Sequence, residues 1–208
     1  MKLGIIGAGW IADKMAETLT GLDNSMKYAI AARDLGRAQE FARHWGFEKA
    51  YGSYKEMVED PEVDLVYVAT PHSHHFEHAS LAINAGKPVL CEKAFTANAR
   101  EADALLNLAH KKEIFITEAI WTRYMPLSMK VKELLDSGAI GKPRLLNASL
   151  CYMMEFKERI LRPDLCGGAL LDLGVYSINF CRMYFGADII NETSNCIKSD
   201  TGMDMHNS

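Results

Sequence analysis

Three observations predict an α/β chain with a doubly wound parallel sheet followed by a second, α+β domain. Short apolar runs alternate with amphipathic segments through residue 118, a glycine turn occupies the first strand–helix junction, and the pattern changes at Trp121. The predicted boundaries are residues 1–120 for the sheet domain and 121–208 for the second.

The first apolar run, Leu3 to Ile6, reads as a buried strand. It enters a turn spelled Gly7-x-Gly9-x-x-Ala12, and Ile11, Met15 and Leu19 follow at helical spacing. Strand, glycine turn and helix in that order form the Rossmann dinucleotide-binding fingerprint. Gly7 allows the sharp turn, Gly9 leaves room for a pyrophosphate, and Ala12 lets helix and strand pack closely. The helix end, at Trp10, Ile11 and Ala12, offers amides and a positive dipole to phosphate.

The second strand, Lys27 to Ala32, bears on cofactor choice. An acidic residue at its end favours NAD, whereas an arginine accommodates the 2'-phosphate of NADP. Here Arg33 follows directly and Arg37 comes one helical turn later, which favours NADP and leaves NAD possible. The competing reading makes both arginines solvated charges and Asp34 only a helix cap.

The remaining elements follow in order. Arg37 to Trp45 is a predicted helix stopped by Gly46, and Ser53 with Glu56 forms a capping box. Val63 to Ala69 is a strand ending in Thr70-Pro71-His72-Ser73-His74-His75, a loop at the sheet edge where ligands bind. A helix to Gly86, a strand Pro88 to Cys91, a helix Ala99 to Lys111 and a strand Ile114 to Thr117 complete the alternation. Beyond Trp121 come a helix ending at Gly138, a long strand from Pro143 to Tyr152, an apolar helix from Ala169 to Phe185, and a mostly polar tail of weak strand character.

Bulk composition narrows the function. The 208 residues are 49% hydrophobic and 24% charged, with net charge −4, which gives no reason to expect nucleic acid or an anionic membrane as partner. No apolar run approaches the ~20 residues that span a bilayer, and the N-terminus reads as a strand rather than an export signal. Five scattered cysteines without a C-x-x-C fit reduced thiols in the cytoplasm.

Two clusters could carry chemistry. Lys93, beside Glu92 at a strand end on the same sheet edge, could stabilise negative charge on a carbonyl under reduction; the plain alternative is a surface ion pair. Asp172 and Tyr176 are four residues apart after Gly167-Gly168, so a regular helix projects both from one face. A tyrosine beside a lysine makes a proton relay, against ordinary core packing by Tyr176. His72, His74, His75 and His78 crowd one stretch without an H-E-x-x-H frame, so they read as loop residues, mostly solvated, and no metal is expected.

Taken together, Gly7-x-Gly9-x-x-Ala12, Ala69-Thr70-Pro71 with His75, Cys91-Glu92-Lys93 and the block from Gly167 to Tyr176 resemble the Gfo/Idh/MocA family of nicotinamide-dependent oxidoreductases. Trp121-Thr122-Arg123-Tyr124 and Gly174-Val175-Tyr176 look most like its dihydrodiol and NADP-dependent D-xylose dehydrogenase branch. The resemblance implies that Lys93, Asp172 and Tyr176 are catalytic, with Lys93 near nicotinamide and substrate, Asp172 orienting and Tyr176 exchanging the proton. It implies a cofactor site lined by the glycine turn, Thr70, Pro71, His75, Glu92, Lys93, Trp121 and Arg123. The implied substrate is a sugar or cyclic diol, and the implied assembly of a full-length relative is a homodimer formed by the second-domain sheet. Two departures stand out. The family's Glu-Lys-Pro is Glu92-Lys93-Ala94 here, so the rigid ring is absent. Family members are longer, and the chain is expected to lack several second-domain strands and much of the dimer surface. The alternative expectation is therefore a nicotinamide-nucleotide-binding protein without catalysis.

Overall fold

The computed structural model describes residues 1–23, 26–153 and 157–208. The chain divides into two compact units, Met1–Ala119 and Ile120–Ser208, taken here in turn.

The first unit is built on six strands: β1 (Lys2–Ile6), β2 (Met26–Ala31), β3 (Lys49–Tyr51), β4 (Leu65–Val68), β5 (Val89–Cys91) and β6 (Ile116–Glu118). They lie in the order β3-β2-β1-β4-β5-β6, and every pairing is parallel. Helices α1 (Trp10–Leu19), α2 (Leu35–Trp45), α3 (Tyr54–Glu59), α4 (His75–Asn84) and α5 (Ala99–Lys112) make the crossovers. Both sheet faces are covered, so the central strands are nearly continuous apolar runs rather than alternating ones. Alternate residues feed separate cores. Leu3 and Ile5 pack with Ala12, Ala16 and Phe41 of α1 and α2. Ile6, Val66 and Val68 pack on the other side with Val58, Ala79 and Leu105 of α3, α4 and α5. Alanines on the inner helix faces allow the close approach that a parallel α/β layer requires.

Helix boundaries have local causes. Asp34 Oδ1 accepts the Arg37 amide at 2.7 Å and starts α2, and Gly46 ends it with φ 77°. Ser53 accepts from the Glu56 amide at the start of α3. Asn98 and Glu101 cap α5 reciprocally, each accepting from the backbone near the other. Observed strands are shorter than the predicted runs because ladder pairing, not hydrophobicity, sets their ends.

Opposite the glycine turn, the amino end of the sheet is fastened by Asp60. Its buried carboxylate accepts from Lys49 Nζ at 2.8 Å, the Tyr51 hydroxyl at 2.6 Å, the Tyr28 hydroxyl at 3.1 Å and the Glu62 amide at 2.9 Å. Burial pushes this carboxyl's pKa up, but the four donors outweigh it and hold the group well below the usual carboxylate range. Burial, then the bond to Asp60, pushes the Tyr51 phenol up to about 12.

The second unit contains α6 (Pro126–Asp136), α7 (Val175–Phe185) and an antiparallel pair, β7 (Cys196–Lys198) with β8 (Asp204–Asn207). Neither α6 nor α7 buries a residue fully. Two predictions need correction here. Residues 143–152 form no strand: among the described residues the one sheet of this unit is β7–β8, and no strand pairs with this stretch. The helix predicted from Ala169 opens instead with a π-helical turn, Leu170–Gly174, before α7.

That turn is seated by two glycines and an acid. A Cβ on Gly167 would lie 2.3 Å from the Ile160 carbonyl oxygen, and one on Gly168 would lie 1.9 Å from Asp204 Oδ1. Gly168 also has φ 89°. The vacated space admits the Asp204 carboxylate, which accepts the Leu170 amide at 2.6 Å and the Asn207 side-chain amide at 2.6 Å. Among the described residues, no helix is long and apolar enough to cross a membrane.

Two outcomes are expected. Asp60→Ala should lower unfolding free energy by about 3 kcal/mol in denaturant titration, because three side-chain donors lose their acceptor. Its folded pKa lies below the unfolded value, so its contribution is complete above about pH 4 and fades as pH falls further. Wild-type stability should therefore fall more steeply on acidification than that of Asp60→Asn. Gly168→Ala should cost about 2–3 kcal/mol, combining left-handed strain with displacement of the Asp204 cap, read as a fall in Tm.

Candidate functional site

The glycine turn joins β1 to α1 at the carboxyl edge of the sheet. Gly7 has φ 98°, and a Cβ there would stand 3.0 Å from both the Ala69 carbonyl oxygen and Thr70 Cγ2. Glycine is needed both for the turn and for contact with the end of β4. Gly9 is the N-cap of α1 at φ −112°, and a Cβ there would meet nothing within 4 Å. No side chain caps this helix. Trp10 is 67% exposed, Ile11 packs against the core and Ala12 is fully buried. The turn thus has open space at Gly9 and a helix N-terminus without a side-chain cap, which fits the phosphate-cradling role predicted for it.

Arg37 reaches back to the turn, where Nη2 donates to the Ala8 carbonyl at 2.8 Å. Arg33 is exposed. Burial raises the Tyr54 phenol's pKa while the charges of Arg33 and Arg37 lower it, so both guanidinium groups act on the same neighbourhood. Asp34 caps α2, so the capping reading holds for Asp34 while Arg37 gains a specific anchor.

The histidine stretch is not the solvated loop that was expected. His72, His75 and His78 are buried, because a short 3₁₀ turn (His72–His74) after Pro71 leads straight into α4 and turns these rings inward. His78 Nδ1 lies 3.0 Å from Thr70 Oγ1, and its ring packs edge-on to Tyr54 and stacks with His74. Burial, followed by the charges of His74, His75 and Arg33, lowers His78 to about 4, so it is neutral at pH 7. His75 places Nε2 2.8 Å from the Thr70 carbonyl oxygen and Nδ1 2.7 Å from that of Ala94. A neutral ring donates to one carbonyl at a time, and an imidazolium to both. Burial holds its pKa below the ordinary histidine value, against the pull of those carbonyls. Among the described residues, no group of three or more His, Cys, Asp or Glu is arranged to hold a metal ion.

Lys93 follows β5 in a loop fastened on several sides. Glu92 is 8% exposed, and its carboxylate accepts from the Tyr67 hydroxyl and, at 3.1 Å, from the Lys93 amide. Burial raises the Glu92 pKa, opposed by the Tyr67 bond and by Lys93. This is a buried, bonded acid rather than half of a surface ion pair. The Lys93–Ala94 peptide is cis. Glu118 Oε1 accepts the Phe95 amide at 2.9 Å.

The other predicted residues belong to the second unit. Asp172 is 5% exposed, and Arg159 Nη2 donates to its Oδ1 at 2.9 Å. Tyr176 is half-buried, and its hydroxyl accepts from Trp121 Nε1 at 3.2 Å with the rings edge to face. Arg123 donates to Asn179 Oδ1 at 3.0 Å. The π-helical turn Leu170–Gly174 contains Asp172 and ends two residues before Tyr176, replacing the regular helical spacing expected between them. The sequence reading missed Tyr67, Glu118, Arg159 and Asp204. Tyr67 carried a usable signal, since a phenol within an apolar buried strand requires a hydrogen-bond partner.

Comparison with known proteins places this geometry. Residues 1–119 match the family described as "Oxidoreductase family, NAD-binding Rossmann fold", and residues 128–204 match the GFO/IDH/MocA C-terminal domain. The chain is 39% identical to trans-1,2-dihydrobenzene-1,2-diol dehydrogenase of Danio rerio, over 98% of this chain and 62% of the relative. It is 43% identical to D-xylose 1-dehydrogenase (NADP(+)) of Hypocrea jecorina, over 86% of this chain and 52% of the relative. It thus spans about half to three-fifths of the length of the curated relatives it matches. Among solved structures, KijD10, a 3-ketoreductase from Actinomadura kijaniata in complex with NADP and TDP-benzene, superposes with TM-score 0.82 at 27% identity, over 100% of this chain and 64% of that one. Levoglucosan dehydrogenase in complex with NADH gives TM-score 0.75 at 25% identity, over 88% and 53%. With both of its units matched in order, the chain belongs to the Gfo/Idh/MocA oxidoreductase family.

Proposed function

We propose that this chain binds NADP through residues 1–120 and forms part of an oxidoreductase acting on the CH–OH group of a sugar or cyclic diol, with residues 121–208 contributing to its substrate and dimerisation domain. The observation that carries the reading is the glycine turn, where the N-cap of α1 opens onto free space and Arg37 is anchored to the Ala8 carbonyl. The α1 N-terminus holds the pyrophosphate. Arg37, with Arg33, takes the 2'-phosphate, which ranks NADP ahead of NAD. The dihydrodiol and NADP-dependent xylose dehydrogenases among its relatives support the substrate class. Cysteine usage supports a reducing, cytoplasmic setting.

The nicotinamide, when bound, gives or accepts the hydride. The protein's share is electrostatic and protonic. Lys93 stabilises negative charge on the substrate oxygen, Tyr176 gives or takes that oxygen's proton, and Asp172 orients the substrate or the lysine. Thr70, Pro71, His75, Trp121 and Arg123 shape the cofactor surroundings. Glu92 acts through Lys93, since its carboxylate holds that residue's amide.

Two variants test the assignment. Gly9→Ser should leave Tm unchanged or slightly raised, because φ −112° suits any residue and serine is a good N-cap, yet it should weaken NADPH binding by about tenfold in fluorescence titration. Unchanged affinity would remove the turn from the binding site. Lys93→Met should reduce oxidation of sugars and diols by about a thousandfold while NADPH still binds. Near-normal turnover in that variant would refute the role given to Lys93. Tight NADPH binding by the wild-type chain, with no oxidation of any sugar or diol, would favour a coenzyme-binding protein without catalysis.

A further inference from the structure

The loop after β5 contains one peptide group gripped from both sides. His75 Nδ1 lies 2.7 Å from the carbonyl oxygen of Ala94, and Glu118 Oε1 accepts the amide N–H of Phe95 at 2.9 Å. That oxygen and that N–H belong to the same Ala94–Phe95 peptide unit. With the proton on His75 Nδ1, it is held by its negative pole from α4 as well as by its positive pole from β6. Ala94 is buried, so water does not replace either partner freely. The register Cys91↔Glu118 sets Glu118 beside the residue from which the loop departs. Lys93 immediately precedes the gripped peptide, and its own amide goes to Glu92. Burial raises the pKa of both Cys91 and Glu92, and the nearby charge of Glu118 adds a smaller push in the same direction. With both poles held, rotation of this peptide about Ala94 ψ and Phe95 φ is restrained, which fixes the backbone one peptide downstream of Lys93.

We propose that Glu118 is a positioning residue for Lys93: by fixing the Ala94–Phe95 peptide against His75, it sets the direction of the Lys93 side chain. The catalytic consequence rests on the reading of Lys93 given above, but the positioning itself can be measured without turnover. A carboxylate that only added stability at the end of β6 would change Tm and leave Lys93 where it is.

The experiment uses the full chain with ¹³C-methylated lysines, the Lys93 signal being identified by its loss in Lys93→Arg. Glu118→Ala should shift or broaden the Lys93 resonance and speed exchange of the Phe95 amide by about tenfold or more. The ladder amides of Val89 and Ala119, bonded to Phe115 and Cys91, should keep their protection and so report an intact sheet. Glu118→Gln retains an acceptor oxygen for the Phe95 N–H and should restore wild-type behaviour. If turnover is present, Glu118→Ala should lower kcat about tenfold with NADPH affinity within about twofold of wild type. Should the alanine variant fail to fold, Glu118→Met keeps the volume and removes the same acceptor. An unmoved Lys93 resonance in Glu118→Ala, or a glutamine variant as impaired as alanine, would overturn the proposal. A wild-type chain that oxidises no sugar or diol would overturn the proposed function instead, and the resonance would still decide the role of Glu118.

Discussion

The close contact between the β1–α1 turn and the end of β4 sets the layout of the first unit. Gly7 places its backbone where a Cβ would stand 3.0 Å from the Ala69 carbonyl oxygen, while its amide donates to the Ala31 carbonyl. Three strand ends, those of β1, β2 and β4, therefore meet at one residue. A parallel sheet buried on both faces has no polar face to offer a ligand, so its exposed polar chemistry is confined to its two edges. With the carboxyl ends drawn together at Gly7, the α1 N-terminus, Arg37, the Ala69 carbonyl and the Thr70 side chain lie around one turn. The requirement is steric, and no side chain on Gly7 meets it.

The two ends of the sheet treat a buried acid in opposite ways. Asp60, at the amino end, is surrounded by an ammonium, two phenols and an amide, and remains ionised well below the usual range. Glu92, at the carboxyl end, has a phenol and one amide, faces the charge of Glu118, and is pushed upward by burial. Asp60 acts as a fastener, and nothing at its end of the sheet requires it to release a proton. Glu92 sits next to Lys93, in a loop whose backbone polar groups are largely taken by side chains.

How much of this was legible in the sequence depends on distance along the chain. The glycine turn, the caps at Asp34 and Ser53 and the strand–helix alternation are local properties, set by backbone sterics and by hydrogen bonds within a few residues, and they were readable. Burial of His72, His75 and His78 was not, because polar residues after a strand look alike whether they face solvent or a neighbouring loop. The stretch from Pro143 to Tyr152 misled for the complementary reason. Its composition suits a strand, but a strand exists only with a partner, and pairing is a property of the sheet rather than of the segment. The π-helical turn at Leu170–Gly174 depends on Asp204, more than thirty residues downstream, entering the space left by Gly168. No periodicity announces such a contact.

Ala94 brings these arguments together. The family resemblance placed a proline after the lysine, and its ring would restrict the backbone covalently. Alanine imposes no such restriction, so from the sequence alone the positioning of Lys93 looked weakened. In the structure the Ala94–Phe95 peptide lies between two elements far apart in sequence, with His75 Nδ1 at its oxygen, donating when it carries the ring proton, and Glu118 accepting its N–H. A ring acts at every stage of folding, whereas these contacts exist only once α4 and β6 have docked. A local freedom in the chain is thus removed by tertiary structure, at a cost in ordering entropy that the ring would partly avoid. On the proposal made for Glu118, the orientation of Lys93 depends on the integrity of the β5–β6 edge, where Glu118 holds the Phe95 amide.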